Sequence, residues 1–218
     1  MSVPFIIDQA ISYSDVFTTP ADTLLQIILD ETRATHPKAH MLSGEVQGQF
    51  LSMLSCMKKP MHILEIGTFT GYSALCLAKG LDPKGKLHTI ENRIEDAEKA
   101  ARYFANSDDN HKIELHVGDA KEIIPALPYS WDIVFIDADK TGYIEYYEMV
   151  LPNLAKGGII IADNVLFHGE VLEDTISGKN AIAIHAFNEH VKNDPRTTQV
   201  LLTIRDGMLL IQRNELCN

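Results

Sequence analysis

Asp137, Asp163 and Asn164 are the residues of this 218-residue sequence best suited to hold a cation together. Phe135-Ile136-Asp137-Ala138-Asp139-Lys140 closes one apolar run, and Ile161-Ala162-Asp163-Asn164 closes another. If the two runs are neighbouring parallel strands, their acids meet at one sheet edge. Two carboxylates and an amide carbonyl are hard oxygen donors, suited to Mg²⁺ or another divalent cation with positions left for water or substrate. Lys140 stands where a helix should begin, a place the helix dipole makes unfavourable for a cation. It is either a solvated lysine or one whose pKa a metal and the dipole lower, which would make it a general base near neutral pH. His168 follows on the same loop, as a neighbour of the ion or as a polar loop histidine. Helix caps also favour Asp and Asn; that explains any one of these residues better than all of them together.

Glu65-Ile66-Gly67-Thr68-Phe69-Thr70-Gly71-Tyr72-Ser73 stands where another apolar run passes into a helix-like segment. Its glycines permit a tight turn and a close backbone approach to a ligand. The spacing is G-x-x-x-G, without the GxGxxG pattern that seats a pyrophosphate on a helix N-terminus. Glu65 would repel phosphates and attract a cationic ligand. Glu91 ends the next run, where a carboxylate can accept hydrogen bonds from both ribose hydroxyls. Gly118-Asp119-Ala120 follows a third run. A plain strand-to-helix turn, a surface glutamate and helix caps account for these residues one at a time. Four acids at successive strand ends favour a nucleoside site with an acidic lining, and a sulfonium over a diphosphate.

The elements that must position these residues follow from the pattern. Short apolar runs at 62–66, 86–90, 113–117, 132–136 and 159–162 alternate with helix-like segments at 71–79, 94–104, 120–126 and 142–150. Alternation of that kind predicts βαβ crossovers and a parallel sheet covered on both faces. A further helix is predicted over 181–191, with Ile184, Phe187 and Val191 on one face. Strand-like runs at 199–204 and 208–212 flank Asp206-Gly207, a hairpin signal. The first sixty residues read as helical. Thr19 and Pro20 supply a start for a helix over 20–33, and Val46, Phe50, Met53, Leu54 and Met57 fall on one face of a later helix. The expected fold is α/β: a Rossmann-like, doubly wound, seven-stranded, mostly parallel sheet with a C-terminal antiparallel hairpin and added N-terminal helices. It is expected to be one domain over 1–218, with a helical cap over 1–60 and a cofactor- and metal-binding core over 61–218.

Composition narrows the function. Thirty acidic residues against nineteen Lys and Arg give a formal charge of −11, which argues against non-specific binding to nucleic acid or anionic membranes. No apolar run approaches a membrane span, and no basic start followed by an apolar stretch marks a signal peptide. Cys56, Cys76 and Cys217 show no CxxC spacing and read as free thiols of a cytoplasmic protein.

Together with His40-Met41 and Gln47-Gly48-Gln49-Phe50-Leu51, these motifs resemble the metal-dependent class I O-methyltransferases, which include catechol and caffeoyl-coenzyme A O-methyltransferases. The resemblance spans residues 39–213 and is most specific in the Asp137 and Asp163-Asn164 segments. It implies that Asp137, Asp163 and Asn164 hold Mg²⁺ or another divalent cation. It also implies that Glu65, Gly67, Thr68 and Ser73 line an S-adenosylmethionine site, that Glu91 meets the ribose, and that Asp119 and Ala120 border the adenine. Asp137 and Asp139 join the cofactor contacts, and Met41 and Ser43 lie in the segment closing over the methionine end. Lys140 matches the catalytic base, with Asp137 in the same catalytic set. The implied acceptor is a small catechol-like or phenylpropanoid molecule, and the implied assembly a homodimer. Animal catechol enzymes carry an aromatic residue where this chain has Asp139, and plant coenzyme A enzymes carry Asn where it has His168.

Three other readings share parts of this pattern. A tRNA 5-hydroxyuridine O-methyltransferase would use the same chemistry, with Lys58, Lys59, Arg93, Lys99 and Arg102 as a local basic rim; these residues also suit an ordinary solvated helix face. The missing GxGxxG and the acid-lined edge count against a nicotinamide-dependent oxidoreductase. Lys140 beside a complete oxygen set counts against a non-catalytic dimer. Phe5, Ile6, Ile7, Tyr13 and Phe17 are candidate interface residues, with core packing as the alternative. His36 and His40 have no acidic or cysteine partner nearby in sequence and read as solvated or structural.

Overall fold

The computed structural model describes residues 8–214. Helices α1 (Asp8–Val16), α2 (Thr23–Thr35) and α3 (Glu45–Lys58) precede the sheet. The alternating region then gives β1 (His62–Ile66), α4 (Tyr72–Ala78), β2 (Lys86–Glu91), α5 (Ile94–Phe104), β3 (Ile113–Val117), α6 (Ala120–Ile123), β4 (Trp131–Ile136), α7 (Tyr143–Val150) and β5 (Leu154–Asp163). It closes with α8 (Lys179–Lys192), β6 (Thr197–Leu202) and β7 (Met208–Arg213). The seven strands stand in the order β3-β2-β1-β4-β5-β7-β6. The first five pair in parallel, while β7 runs antiparallel to both β5 and β6. This is the expected doubly wound sheet with its terminal hairpin.

Each sheet face buries a separate apolar layer. Leu64, Val134 and Ile160 meet Tyr143, Tyr147, Ile184 and Phe187 on the α7–α8 side. Ile63, Ile133 and Ile161 meet Ile28, Leu51 and Leu77 on the side of α2, α3 and α4. Successive strand residues thus feed opposite layers, the period of two that a sheet covered on both faces requires.

Several elements depart from expectation for visible reasons. Helix α2 starts at Thr23 because Asp22, not Thr19, is its cap: the Asp22 side chain accepts from Leu25 N–H at 3.0 Å. Strand β5 begins at Leu154, before the Gly157-Gly158 pair that makes its first half look like a turn. The hairpin loop has five residues, 203–207, so Asp206-Gly207 closes a longer loop and does not form a two-residue turn. Gly207 is nevertheless required there: its φ is +85°, and a Cβ would lie 2.5 Å from Leu166.

Helix α3 is buried mainly on a face of small and polar residues, and of the apolar residues named for it only Phe50 and Leu54 pack against the core. Met53 and Met57 are exposed, whereas Gln47, Gly48, Leu51, Ser52 and Ser55 face inward. Close approach to α4 is the cause. A Cβ on Gly48 would meet the Tyr72 ring at 2.5 Å, and one on Gly80 would meet the Ser55 backbone at 2.0 Å. Small residues win that face because packing at this distance excludes large ones. Tyr13 and Phe17 stack on each other at 4.2 Å and are both exposed, which excludes core packing for that pair. Phe5, Ile6, Ile7 and Cys217 lie outside the described residues. Cys56 and Cys76 are free, and burial pushes the Cys76 thiol up to about 12. Among the described residues no helix is long and apolar enough to cross a membrane.

Candidate functional site

Sheet register assembles the candidate residues. Ile90, Ile66, Ile136 and Ala162 form one row across β2, β1, β4 and β5. The next residue on each strand gives Glu91, Gly67, Asp137 and Asp163 side by side. Because the strand order reverses between β1 and β4, their C-terminal ends open into a crevice.

The glycines of G-x-x-x-G serve close packing. Gly67 has φ +102°, and a Cβ there would come within 2.0 Å of the Asp137 carbonyl oxygen. Gly71 has φ +88°, and a Cβ would press on the Phe104 ring at 2.6 Å. Glycine is therefore what lets the end of β1 lie against that of β4 and the loop lie against α5.

Glu65 is fully buried behind this loop. Its Oε2 accepts from Thr89 Oγ1 at 2.5 Å, while Oε1 has no hydrogen-bond partner. Burial pushes its carboxyl up to about 8, against the opposing pull of Ser73 and Thr89. An unpaired buried carboxyl oxygen fits a cationic ligand group in this crevice. Thr68 is buried and its hydroxyl meets that of Thr89. Glu91 binds the loop itself, accepting from Phe69 N–H at 2.7 Å and Arg93 N–H at 2.9 Å. Arg93 pairs with Asp96 at 2.7 Å and donates to Met41 Sδ at 3.9 Å, which seats the 3₁₀ turn Ala39–Met41 beside the crevice. Met41 is partly exposed and Ser43 is buried. His36 is neither solvated nor unpaired: it meets Asp96 at 2.8 Å, a partner sixty residues away in sequence.

Two acids take the cap-like placements that were the simpler alternative. Asp119 is the N-cap of α6 and accepts from Lys121 N–H at 2.9 Å, with Ala120 buried beside it. Asp139 is exposed and precedes a 3₁₀ turn, Lys140–Gly142, accepting from Tyr146 Oη at 2.5 Å and from Thr141 Oγ1 at 3.2 Å.

The oxygen-rich cluster gathers around Lys140. Its Nζ donates to Asp137 Oδ1 at 3.0 Å, Asn164 Oδ1 at 2.8 Å and Tyr143 Oη at 2.7 Å. Burial alone would lower the Lys140 pKa. Tyr143, Asp137 and Asp163 outweigh it and hold the ammonium well above the usual lysine range. The lowered value expected for Lys140 presupposes a bound metal; with Asp137 and Asp163 uncompensated, the nearby carboxylates set the direction. Asp163 is buried: Oδ2 accepts from Gln47 Nε2 at 2.7 Å and Oδ1 has no partner. Burial first, then Asp137, raises its pKa. Asp137 Oδ1 and Asn164 Oδ1, which already accept from one cation, the Lys140 ammonium, and the unpartnered Asp163 Oδ1 are hard oxygen donors that fit a divalent cation.

Sequence reasoning missed two members of this cluster. Tyr143 Oη accepts from Lys140 and donates to the Asp163 carbonyl at 2.9 Å. Gln47 bridges Asp163 to Arg205, whose Nη1 donates to Gln47 Oε1 at 3.0 Å. Gln47 stands in one of the motifs that carry the resemblance, the signal that could have singled it out. His168 stays apart from these residues; it is exposed, and its ring faces Asp206 at 3.7 Å. The turn carrying Asn164 and His168 is strained, with positive φ at Asn164, Phe167, His168 and Gly169.

Comparison with known proteins gives a consistent picture. The sequence model of a family described as O-methyltransferase matches residues 18–214. A Dictyostelium discoideum protein named probable caffeoyl-CoA O-methyltransferase 2 is 35% identical, over 95% of this chain and 91% of its own. An O-methyltransferase from Bacillus cereus, solved in complex with SAH, superposes with a TM-score of 0.85 at 30% identity, covering 93% of this chain and 96% of that one. TomG from Streptomyces achromogenes, solved with SAM, gives 0.86 at 28% identity, covering 96% and 100%.

Proposed function

Because the chain belongs to the O-methyltransferase family and is an S-adenosylmethionine-dependent O-methyltransferase, we propose that it methylates a vicinal hydroxyl of a small catechol-like or phenylpropanoid molecule in a divalent-metal-dependent reaction. The observation that carries this reading is the Asp137, Asp163, Asn164 and Lys140 cluster beside the glycine loop. In this reading the domain is a core over 61–218 with a helical cap over 1–60.

Asp137, Asp163 and Asn164 would hold the cation, which when bound acidifies a coordinated hydroxyl and fixes two vicinal oxygens. S-adenosylmethionine supplies a methyl group made electrophilic by its sulfonium. Glu65 offers a carboxyl to the cationic methionine end, with Gly67, Thr68 and Ser73 shaping the loop around it. Glu91 and Asp119 flank the nucleoside end, with Ala120 and Asp139 near the base and Met41 and Ser43 over the opening. Lys140 Nζ is the proton acceptor beside the oxygen cluster, and its basicity depends on how the Asp137 and Asp163 charges are compensated. Tyr143 fixes the position of Nζ from behind. Holding both reactants in one crevice contributes roughly several kcal/mol through orientation. Exposed Tyr13 on α1, Phe17 just after it, and Met53 and Met57 on α3 support a homodimer in the same proposal.

Methyl transfer from labelled S-adenosylmethionine, assayed with Mg²⁺ and with EDTA, tests this. The acceptors are catechol, caffeic acid, its coenzyme A ester and undermodified tRNA. Transfer to a vicinal diol that EDTA abolishes is expected. Transfer only to tRNA, or undiminished transfer in EDTA, overturns the reading.

A further inference from the structure

We propose a second cation site, distinct from the oxygen cluster, that takes a borderline transition metal such as Zn²⁺ on His88, His116 and Glu114. The three residues sit on the β2–β3 pair at the sheet edge. His88 Nδ1 lies 3.1 Å from His116 Nε2 and 3.4 Å from Glu114 Oε2, and all three donor atoms lie within 4.8 Å of one another. Two tetrahedral ligands at zinc distances stand about 3.3 Å apart, so both spacings to His88 match a shared ion.

The surroundings fit such a site. His88 is buried and packs against Tyr129 at 4.6 Å and Trp131 at 5.7 Å, which fixes its ring. Glu114 and His116 are partly exposed, leaving an entry path and room for water as a fourth ligand. Lys86 Nζ, 3.3 Å from Glu114 Oε1, holds the carboxylate by its other oxygen. Two imidazoles and one carboxylate favour Zn²⁺, Co²⁺ or Ni²⁺ over Mg²⁺, the reverse of the all-oxygen set at Asp137. Another cluster, Glu148, His190 and Asp194, lacks this opportunity because Arg196 occupies both carboxylates.

The test uses full-length, chelator-stripped protein with excess Mg²⁺ to occupy the oxygen cluster. Zn²⁺ alone is the probe, titrated against a chromophoric chelator and followed by thermal melting. The wild-type chain should retain one equivalent and melt higher with Zn²⁺. His116→Gln and Glu114→Gln should each weaken binding at least tenfold and remove the shift, while Asp163→Asn keeps both. Glu114→Gln, on a partly exposed side chain, covers the case in which His116→Gln disturbs the edge strand. Absence of binding by the wild-type chain at micromolar Zn²⁺, or equal binding by both His116→Gln and Glu114→Gln, overturns the proposal.

Discussion

On the proposed assignment of Asp163 to a metal, Gln47→Leu should weaken metal binding without touching the cofactor. Gln47 gives Asp163 its one side-chain donor, at 2.7 Å, and the other oxygen of that buried carboxylate has no partner. A hydrogen bond to a charged group contributes about 1.5–3 kcal/mol. Loss of a group that orients a metal ligand weakens metal affinity about 10- to 100-fold, which is about 1.4–2.7 kcal/mol. The two figures agree, so the Mg²⁺ concentration for half-maximal transfer should rise by that factor while kcat at saturating Mg²⁺ changes little. Leucine keeps the buried volume near that of glutamine, and Arg205, partly exposed, can turn to water. Calorimetry with S-adenosylhomocysteine should give the wild-type affinity. In an Asp163→Asn background, calorimetric Mg²⁺ affinity should no longer respond to Gln47→Leu. An unchanged Mg²⁺ dependence, or an equal loss of cofactor affinity, would refute the reasoning.

Lys140→Met should reduce kcat at least about 100-fold with cofactor affinity within about twofold, measured by single-turnover assay and calorimetry. Gly67→Ala should cost about 3 kcal/mol or more, because a Cβ there overlaps the Asp137 carbonyl in a left-handed backbone conformation; thermal melting would show it. The raised Glu65 pKa makes a pH prediction. Stability from the protonated form is fully present below the unfolded value of 4.5 and is lost as pH rises through about 8. Cofactor-free protein should therefore lose at most about 5 kcal/mol across that window, and Glu65→Gln should flatten the slope in denaturant melts from pH 5 to 9.

Order of elements and the placement of acids at strand ends were legible because both are local. Ile94–Phe104 needs only its own apolar spacing to be recognised, and Asp137 and Asp163 need only follow apolar runs. Helix α3 was misread because the face of a helix is chosen by its neighbour. Gly48 is selected by the Tyr72 ring and Ser55 by its hydrogen bond to the Leu77 carbonyl, partners that carry no signature within the α3 sequence. Gln47 and His36 illustrate the same limit, since their partners Asp163 and Asp96 are fixed by tertiary packing alone. Lys140 stands among the expected oxygens, whereas its proton affinity depends on the sum of nearby charges, which tertiary packing assembles.

Strand order also sets a schedule for synthesis. Asp163 pairs with Met208 on β7, which lies between β5 and β6. Every other strand of the sheet is translated before β7. Until it emerges from the ribosome, the strand bearing Asp163 presents an open apolar edge and the Arg205 end of the Gln47 bridge is only just being made. A nascent chain stopped before residue 208 would carry Glu91, Gly67, Asp137 and Asp163 but lack the strand that pairs with the end of β5. Its exposed β5 edge would offer a ready template for aberrant pairing, a natural substrate for chaperones.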